Sequence, residues 1–246
     1  MSPDANRWNS ARHRYTCRTA GPYFIGVTAG IPAGVRTSVT VSKFNFGVGE
    51  LMRITSTTNA MTTVAGKFLI QCARDDRITI DLSIGQVSPG PTTTNERSLL
   101  SFTAFHYNVS HGTSTAWSVY RNSNWTTSSG GMNPFHFDVS DLTVGSVSWS
   151  SSTYEVSIAV AGNYYVYVSG GTQPSSRFGL TLQRNGNALF GVYRTATNWD
   201  GVDTLGHGAV VSLNIGDRLK VVAEPNTAGY SGSERRHASF FGFLII

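Results

Sequence analysis

The side chains that could do chemistry are scattered along this chain of 246 residues and form no complete catalytic motif. Among its six histidines, His106 and His111 stand at a spacing close to that of zinc ligands, but no pair of cysteines accompanies them. The two cysteines, Cys17 and Cys72, belong to no recognisable metal or redox pattern. G-x-S-x-G, H-E-x-x-H and the glycine-rich phosphate loops are also absent from the sequence. We therefore expect no enzyme activity, no catalytic residue and no firmly assignable metal centre.

One segment of the second half combines an aromatic ring with acidic side chains, which makes it a candidate ligand loop. Its members are Asn198, Trp199, Asp200 and Asp203. A tryptophan ring can stack on the face of a sugar, and clustered carboxylate and amide oxygens suit Ca²⁺. A glycan or a calcium ion is therefore the predicted ligand. An ordinary Asp-Gly turn beside a packing tryptophan would have the same composition, and this alternative stays open.

Positive charge is concentrated at the start of the chain. The net charge is +5, and the first 20 residues contain one acidic residue and four arginines: Arg7, Arg12, Arg14 and Arg18. Such a cluster predicts a basic arm over residues 1–20 that contacts phosphates or an acidic protein surface, with a solvated tail as the alternative. The arginines also interrupt any apolar core of a secretory signal. The remaining sequence has no basic stripe and no apolar stretch of about 18 residues, so we expect neither specific nucleic-acid binding nor a membrane-spanning helix.

Alternation of apolar and polar residues runs through the sequence and predicts strands as the elements that carry these side chains. Residues 77–84 (RITIDLSI), for example, place four aliphatic side chains on one face at a period of two. The dipeptide Asn185-Gly186 is a strong hairpin signal. Charged residues make up 13% of the chain and glycine contributes 26 residues, which favours a turn-rich β protein over a helical one.

Three short motifs occur twice in the same order, which predicts an internal repeat. The matching pairs are 65–70 with 161–166, 75–80 with 216–221, and 101–105 with 239–243. The first two motifs lie much further apart in the second half than in the first. We therefore interpret the chain as two related β-domains, residues 21–110 and 111–246, of which the first lacks a central block of strands.

Five segments of the second half follow one another in a recognisable order. They are 135–138 (FHFD), 154–168 (YEVSIAVAGNYYVYV), 180–186 (LTLQRNG), 215–219 (IGDRL) and 240–245 (FFGFLI). They contain a glycine followed by an aromatic strand, an Asn-Gly hairpin, a Gly-Asp-Arg strand start and a Phe-x-Gly-Phe-Leu ending. In this order they resemble the C1q/TNF-like jelly-roll superfamily. The resemblance implies an all-β fold of two tandem antiparallel jelly-roll sandwiches after the basic arm, the first sandwich being abbreviated and matching more loosely.

Two segments of the second half are apolar on both faces and need a cover on each side. They are residues 163–168 (NYYVYV) and the chain end, 240–246 (FFGFLII). One face of such a strand fills the sandwich, and the other must avoid water as well. The resemblance implies a homotrimer whose threefold axis runs beside the last strand. The predicted trimer interface consists of Tyr165, Tyr167, Phe241, Phe243 and Ile245. Burial of the same residues in the core of one monomer is the alternative.

These features together predict a non-enzymatic, homotrimeric structural or binding protein without a required cofactor. The low charge, the few cysteines and the basic arm favour a component of the virion surface, such as a capsid-decorating or tail-associated protein. Its partner would be a capsid or other virion protein. The alternative is a secreted, extracellular C1q-like lectin that recognises carbohydrate. The family resemblance, the Trp199 loop and two glycosylation acceptor patterns, at Asn108 and Asn124, favour this alternative.

Overall fold

The computed structural model describes residues 8–9, 14–32, 35–44, 46–54, 62–85, 101–108, 114–173, 175–194, 203–230 and 237–245. All regular elements in these ranges are β-strands, and their pairs are antiparallel. The all-β prediction is therefore confirmed. This part of the chain contains no helix that is long and apolar enough to cross a membrane.

The first half forms a small sandwich of two sheets. Its strands are β1 (Trp8–Asn9), β2 (Arg14–Thr16), β3 (Gly21–Ile31), β4 (Arg36–Lys43), β5 (Phe46–Ile54), β6 (Thr62–Cys72), β7 (Arg77–Ile84) and β8 (Ser101–His106). Five strands form one sheet in the order β1-β2-β7-β4-β5, and three form the other in the order β6-β3-β8. Tyr23, Ile25 and Val27 of β3 meet Val39 and Ile78 of the facing sheet in one buried core, because residues two apart on a strand share a face.

The start of the chain takes part in this sandwich. β2 pairs with β7, and Tyr15 and Cys17 are buried in the core, with 5% and 0% of their surface exposed. Residues 14–17 alternate between polar and apolar side chains, and this period decides their structure despite the positive charge around them. They belong to the first sandwich and not to a basic arm. Arg14 lies in β2 and Arg18 is exposed just after it, while Arg7 and Arg12 lie outside the described residues.

The second half forms a larger sandwich. Its strands are β9 (Ala116–Arg121), β10 (Trp125–Thr126), β11 (Asn133–Pro134), β12 (Val139–Val144), β13 (Val147–Ser150), β14 (Glu155–Ile158), β15 (Gly162–Thr172), β16 (Phe178–Arg184), β17 (Asn187–Arg194), β18 (Thr204–Leu213), β19 (Arg218–Ala223), β20 (Ala228–Tyr230) and β21 (Ala238–Ile245). A seven-stranded sheet has the order β10-β20-β15-β21-β9-β12, with β18 also paired to β15. A six-stranded sheet has the order β13-β14-β19-β16-β17, with β11 paired to β19. Tyr164, Val166 and Phe240 of the first sheet meet Leu180 and Leu219 of the second in a common core, which is the predicted antiparallel jelly-roll sandwich.

The strand orders show that the two halves repeat one plan. β1-β2-β7-β4-β5 corresponds to β13-β14-β19-β16-β17, and β6-β3-β8 corresponds to β18-β15-β21. The counterpart of β15 is thus β3 and not β6, so the predicted match of residues 65–70 with 161–166 is wrong. An Ala-Gly pair followed by apolar residues occurs at the start of β3 as well as inside β6, which explains the error. Within the described residues, the first half lacks counterparts of β9–β12 and β20 instead of a central block.

One turn shows how closely the two halves agree. Asp76 and Asp217 are counterparts, and the carboxylate of each accepts a hydrogen bond from the backbone N–H three residues earlier, at 2.8 Å and 2.9 Å. This hydrogen bond is the main reason why the pKa of Asp217 is lower than its ordinary value. A backbone hydrogen bond to the neighbouring strand of the sheet is also the same in both halves. Cys17 N, just after β2, donates to Asp76 O, and Ile158 N, at the end of β14, donates to Asp217 O, both at 2.9 Å. Each half therefore uses one buried aspartate to start the same central strand.

Candidate functional site

Four aromatic side chains form a block on the seven-stranded sheet, on the side that faces away from the core of the larger sandwich. β15 and β21 pair in a register that sets Tyr165 opposite Phe243 and Tyr167 opposite Phe241. Directly opposite residues of an antiparallel pair point to the same face, and these ring centroids are 5.5 Å and 5.2 Å apart. We term these four residues the aromatic face. The residues that alternate with them point into the core, as the sequence pattern predicts.

The first half of the same chain covers much of the aromatic face. The ring centroid of Phe24, on β3, lies 5.9 Å from that of Phe243 and 6.2 Å from that of Phe241, and Leu69 of β6 joins the same cluster. Only 3% of Tyr167, 0% of Phe241 and 8% of Phe243 stays exposed. The chain therefore buries by itself three residues that the sequence assigns to an interface between copies.

Sequence alone assigns these rings to a subunit interface because the two halves look like separate domains. A signal for the cover is present in β6, where Phe68, Leu69 and Ile70 are consecutive apolar residues. Phe68 and Ile70 point into the core of the first half, and Leu69 points towards the second half. A strand that is apolar on both faces needs a cover on both. Each half thus supplies the second apolar contact that the other requires.

Polar contacts fix the first half in this position. Lys67 Nζ donates a hydrogen bond to Tyr165 Oη at 2.7 Å and lies 5.1 Å from the centroid of that ring. Burial raises the pKa of Tyr167, whose hydroxyl group bonds to the backbone of Lys67. Burial also raises the pKa of Tyr107, which follows β8 and donates to the carbonyl oxygen of Leu244 at 3.0 Å. The hydroxyl groups of both tyrosines thus link the two halves through hydrogen bonds.

Part of the same surface stays open beside the cover. A groove of about 700 Å³ follows the junction of the two halves, with Phe24 and Phe243 among its walls. Val210 of β18 lies opposite Tyr165 in the strand register and is 61% exposed, and Ile245 near the end of β21 is 42% exposed. We term Tyr165, Val210 and Ile245 the open strip. Of the five predicted interface residues, Tyr165 and Ile245 are those that a second molecule can reach.

A second, more polar pocket of about 600 Å³ lies among β10, β11 and the end of β9. Arg121 lines this pocket, but its guanidinium group donates to the carbonyl oxygens of Ser123 at 2.9 Å and His136 at 2.8 Å. Trp125 also lines it and is only 5% exposed, because its ring packs on Phe135 with the centroids 4.9 Å apart. The pocket thus offers polar groups to a small ligand, whereas the face of Trp125 is not available for stacking.

The predicted ligand loop is only partly described. Asn198, Trp199 and Asp200 lie outside the described residues. Asp203 is buried, and its carboxylate forms an ion pair with Arg194 at 2.8 Å, so this oxygen is already engaged. Among the described residues, no three His, Cys, Asp or Glu side chains come close enough together to hold a metal ion. Calcium or a glycan as the ligand of this loop stays a prediction.

The larger sandwich matches a known domain family. A family model of the C1q domain matches residues 116–245, which is the range from the start of β9 to the end of β21. The chain belongs to the C1q-domain family. A comparison with curated proteins gives no match.

Several solved structures are similar to the C1q-domain part of the chain. The globular domain of zebrafish complement 1qA protein is 21% identical, with 54% of this chain and 98% of that chain covered and a TM-score of 0.43. Murine APRIL at pH 5.0 is 17% identical, with 54% and 99% covered and a TM-score of 0.43. Eiger TNF from S. frugiperda is 15% identical, with 55% and 92% covered and a TM-score of 0.44.

Other proteins with this domain share some general properties. Proteins with C1q/TNF-like domains are typically trimeric binding proteins, and these domain families are non-enzymatic. The aromatic face, the open strip and the two pockets are the surface features of the second half that a binding function would use.

Proposed function

We propose that this protein is a non-enzymatic binding or structural protein that works as a homotrimer held together through the open strip. The observation that carries the proposal is the exposure of Val210 and Ile245 beside an apolar groove. The first half already covers most of the aromatic face on the same side of the sheet. Contiguous apolar surface is a better sign of an interaction site than single exposed residues are. Membership of the C1q-domain family supports the same oligomeric state.

In a closed ring of three copies, one open strip per chain is enough to hold the trimer together. In a cyclic trimer the strip of each copy packs against a different patch of its neighbour, so that three identical contacts close the ring. The centre of such an interface is depleted of charged residues and enriched in aromatic ones. Tyr165, which lies half-buried between Val210 and Phe243 in the strand register, provides this centre. A carboxylate introduced there would be buried without a partner.

Val210→Asp tests the proposal, and Ile215→Asp is its matched control. Ile215 is 71% exposed in the turn before β19 and lies outside the open strip. We expect wild type and Ile215→Asp to sediment as trimers, and Val210→Asp to sediment as a monomer that still unfolds cooperatively. Trimers of Val210→Asp, or a monomeric wild type, would contradict the proposal. Phe241→Asp is unsuitable because Phe241 is fully buried within its own chain, so this change would unfold the protein.

We further propose the virion surface as the setting of this trimer, with a capsid or other virion protein as its partner. Support comes from the sequence, because charged residues make up only 13% of the chain, and the positive charge of Arg7 and Arg12 suits an acidic shell. We expect wild type and the control Arg74→Glu, whose side chain is 79% exposed, to co-sediment with intact particles from the source. The double variant Arg7→Glu/Arg12→Glu should be lost from them. Absence of the wild type from the particles would contradict this setting and leave the trimer test unaffected.

A secreted carbohydrate-binding protein is the second candidate, and two observations favour it. The acceptor residues Asn108 and Asn124 are both exposed, and the polar pocket beside Trp125 has room for a small polar ligand. Expression through a eukaryotic secretory route should then add glycan mass that Asn108→Gln and Asn124→Gln remove separately. Gln173→Ala, in the pocket wall, should weaken binding to a glycan array. Absence of both the glycan mass and the array signal would count against this candidate.

A further inference from the structure

The two cysteines of the chain belong to the same buried core of the smaller sandwich. Cys17 is 0% exposed and Cys72 is 1% exposed, and both are free thiols. A hydrogen bond joins their side chains, and this bond together with burial raises the pKa of the Cys17 thiol. The two sulfur atoms are therefore direct neighbours in a place that solvent does not reach.

The backbone brings these cysteines together from two different sheets. Cys17 follows β2 of the five-stranded sheet, and Cys72 is the last residue of β6 in the three-stranded sheet. Cys17 N donates to Asp76 O at 2.9 Å, and Asp75 N donates to Cys17 O at 2.7 Å. Cys17 is thus tied on both sides to the turn that begins directly after Cys72. A covalent bond between the sulfurs would join the two sheets across their shared core.

The second half shows that the fold does not require sulfur at these positions. The counterparts of Cys17 and Cys72, each 141 residues later, are Ile158 and Leu213. These two residues are 2% and 1% exposed in the core of the larger sandwich. Ile158 keeps the same two backbone hydrogen bonds to its turn, at 2.9 Å and 2.8 Å. An aliphatic pair therefore satisfies the packing, and the facing thiols are a chemical property of the first half.

We propose that Cys17 and Cys72 form an intramolecular disulfide that cross-links the two sheets of the first half, with oxidised glutathione as the low-molecular-weight disulfide that oxidises them. One cysteine thiolate attacks the glutathione disulfide and releases one glutathione thiolate; the other cysteine thiolate then attacks the mixed disulfide and releases the second. The two cysteine protons pass through solvent to the two released thiolates. The protein thus loses two hydrogens with their electrons, and the glutathione disulfide is reduced to two thiols. The bond closes the chain between residues 17 and 72 and so restricts the unfolded state.

The test compares the full chain after incubation with reduced and with oxidised glutathione. We expect the oxidised protein to be lighter by about 2 Da, to give one non-reduced peptide that joins residues 17 and 72, and to unfold at a higher urea concentration than the reduced protein. The reaction should be slow for the folded chain and faster in mild urea, because neither thiol is exposed. Two thiols that still react with iodoacetamide after unfolding, or a bond between two chains, would overturn the proposal.

A matched variant separates the bond from other effects of glutathione. Cys17→Ile/Cys72→Leu introduces the aliphatic pair of the second half and should fold with a urea midpoint that does not depend on glutathione. Cys72→Ser keeps one thiol and should stop at the mixed disulfide with glutathione. A midpoint shift that persists in the double variant would show that the cysteine pair is not its cause, and the proposal would fail.

Discussion

The two halves of the chain share a strand plan, but the described residues of the first half form fewer of its strands than those of the second half. In the second half, β15 pairs with one edge of β21 and β9 pairs with the other. β9 thereby places Trp117 and Val119 in the core. In the first half, no described strand pairs with the corresponding edge of β8. A sandwich with fewer strands buries less apolar surface and has less stability of its own. The comparison indicates that the smaller sandwich depends on a contact that the larger one provides.

That contact is the apolar cluster between the halves. Phe24 and Leu69 of the first half pack with Tyr167, Phe241 and Phe243 of the second. Either set alone would expose a contiguous apolar surface, which folded monomers seldom do. The aromatic face of the C1q domain thus serves first as a support for the smaller sandwich. Its open strip is the part that remains for contacts with other molecules.

Separating the two halves should have the largest effect. We expect residues 1–110 alone to lose cooperative unfolding, because Phe24 and Leu69 lose their cover and one edge of β8 pairs with no strand among the described residues. Residues 111–246 alone should still unfold cooperatively. They should also bind the dye ANS and associate strongly, because Phe241 and Phe243 become exposed. Circular dichroism and ANS fluorescence measured against urea concentration check both expectations.

The control for this experiment is to mix the separately prepared halves. If they rebind each other, the ANS signal of the second half should fall. A first half that unfolds cooperatively at the same urea concentration as the full chain would instead mean that the two sandwiches are independent.

A single side chain at the contact should have the next largest effect. Phe24 is 9% exposed and touches three rings of the aromatic face, so Phe24→Ala should lower the free energy of unfolding by about 3 kcal/mol. Ile215 is 71% exposed, and the control Ile215→Ala should change it by less than about 0.5 kcal/mol. Urea denaturation measures both values. Equal losses in the two variants would mean that the contact between the halves contributes little.

Features that depend on local pattern could be predicted from the sequence. The period of two gave the strands, and Asn185-Gly186 forms the predicted hairpin turn with φ angles of +53° and +84°. The counterpart of β15 could not be identified in this way. Both Gly21 and Gly66 follow an alanine and belong to an apolar strand, and only the order of strands in the sheets distinguishes them.

The site shows the same limit of sequence reasoning. Alternation correctly predicts that Tyr165 and Tyr167 share one side of their strand, and Phe241 and Phe243 share the same side of theirs. It does not predict what covers that side. The contact of Phe24 with Phe243 joins residues far apart in the chain, and no local period specifies it. Long-range packing therefore decided which predicted interface residues remain accessible.

The two-residue turns of the halves allow a sharper comparison with a smaller effect. Phe44 and Asn185 are counterparts, and both have a positive φ, of +50° and +53°. Asparagine tolerates this conformation better than a bulky aromatic residue does. The Asn185 side chain also donates to Asp217 at 2.7 Å and accepts from Arg218 N at 2.9 Å.

Exchanging these turn residues should shift stability in opposite directions. Phe44→Asn should raise the free energy of unfolding by about 1 kcal/mol, and Asn185→Phe should lower it by about 1.5 kcal/mol, because left-handed backbone costs a residue with a bulky side chain about that much. Urea midpoints of the two variants measure the shifts. If Phe44→Asn leaves the midpoint unchanged, the strain inferred at this turn is absent.

The smallest expected effect concerns the residue before the buried aspartate of each half. Asp75 has a φ of +69° and its counterpart Gly216 has a φ of +88°, and a Cβ at Gly216 would meet no described atom within 4 Å. The two residues therefore differ in how easily they adopt a positive φ, and not in the space available for a side chain. Glycine removes the strain but costs backbone entropy, so Asp75→Gly should stabilise the protein by about 0.5 kcal/mol and Gly216→Asp should destabilise it by a similar amount. Urea midpoints that move in the same direction in both variants would show that side-chain contacts, and not the backbone, set the difference between the two turns.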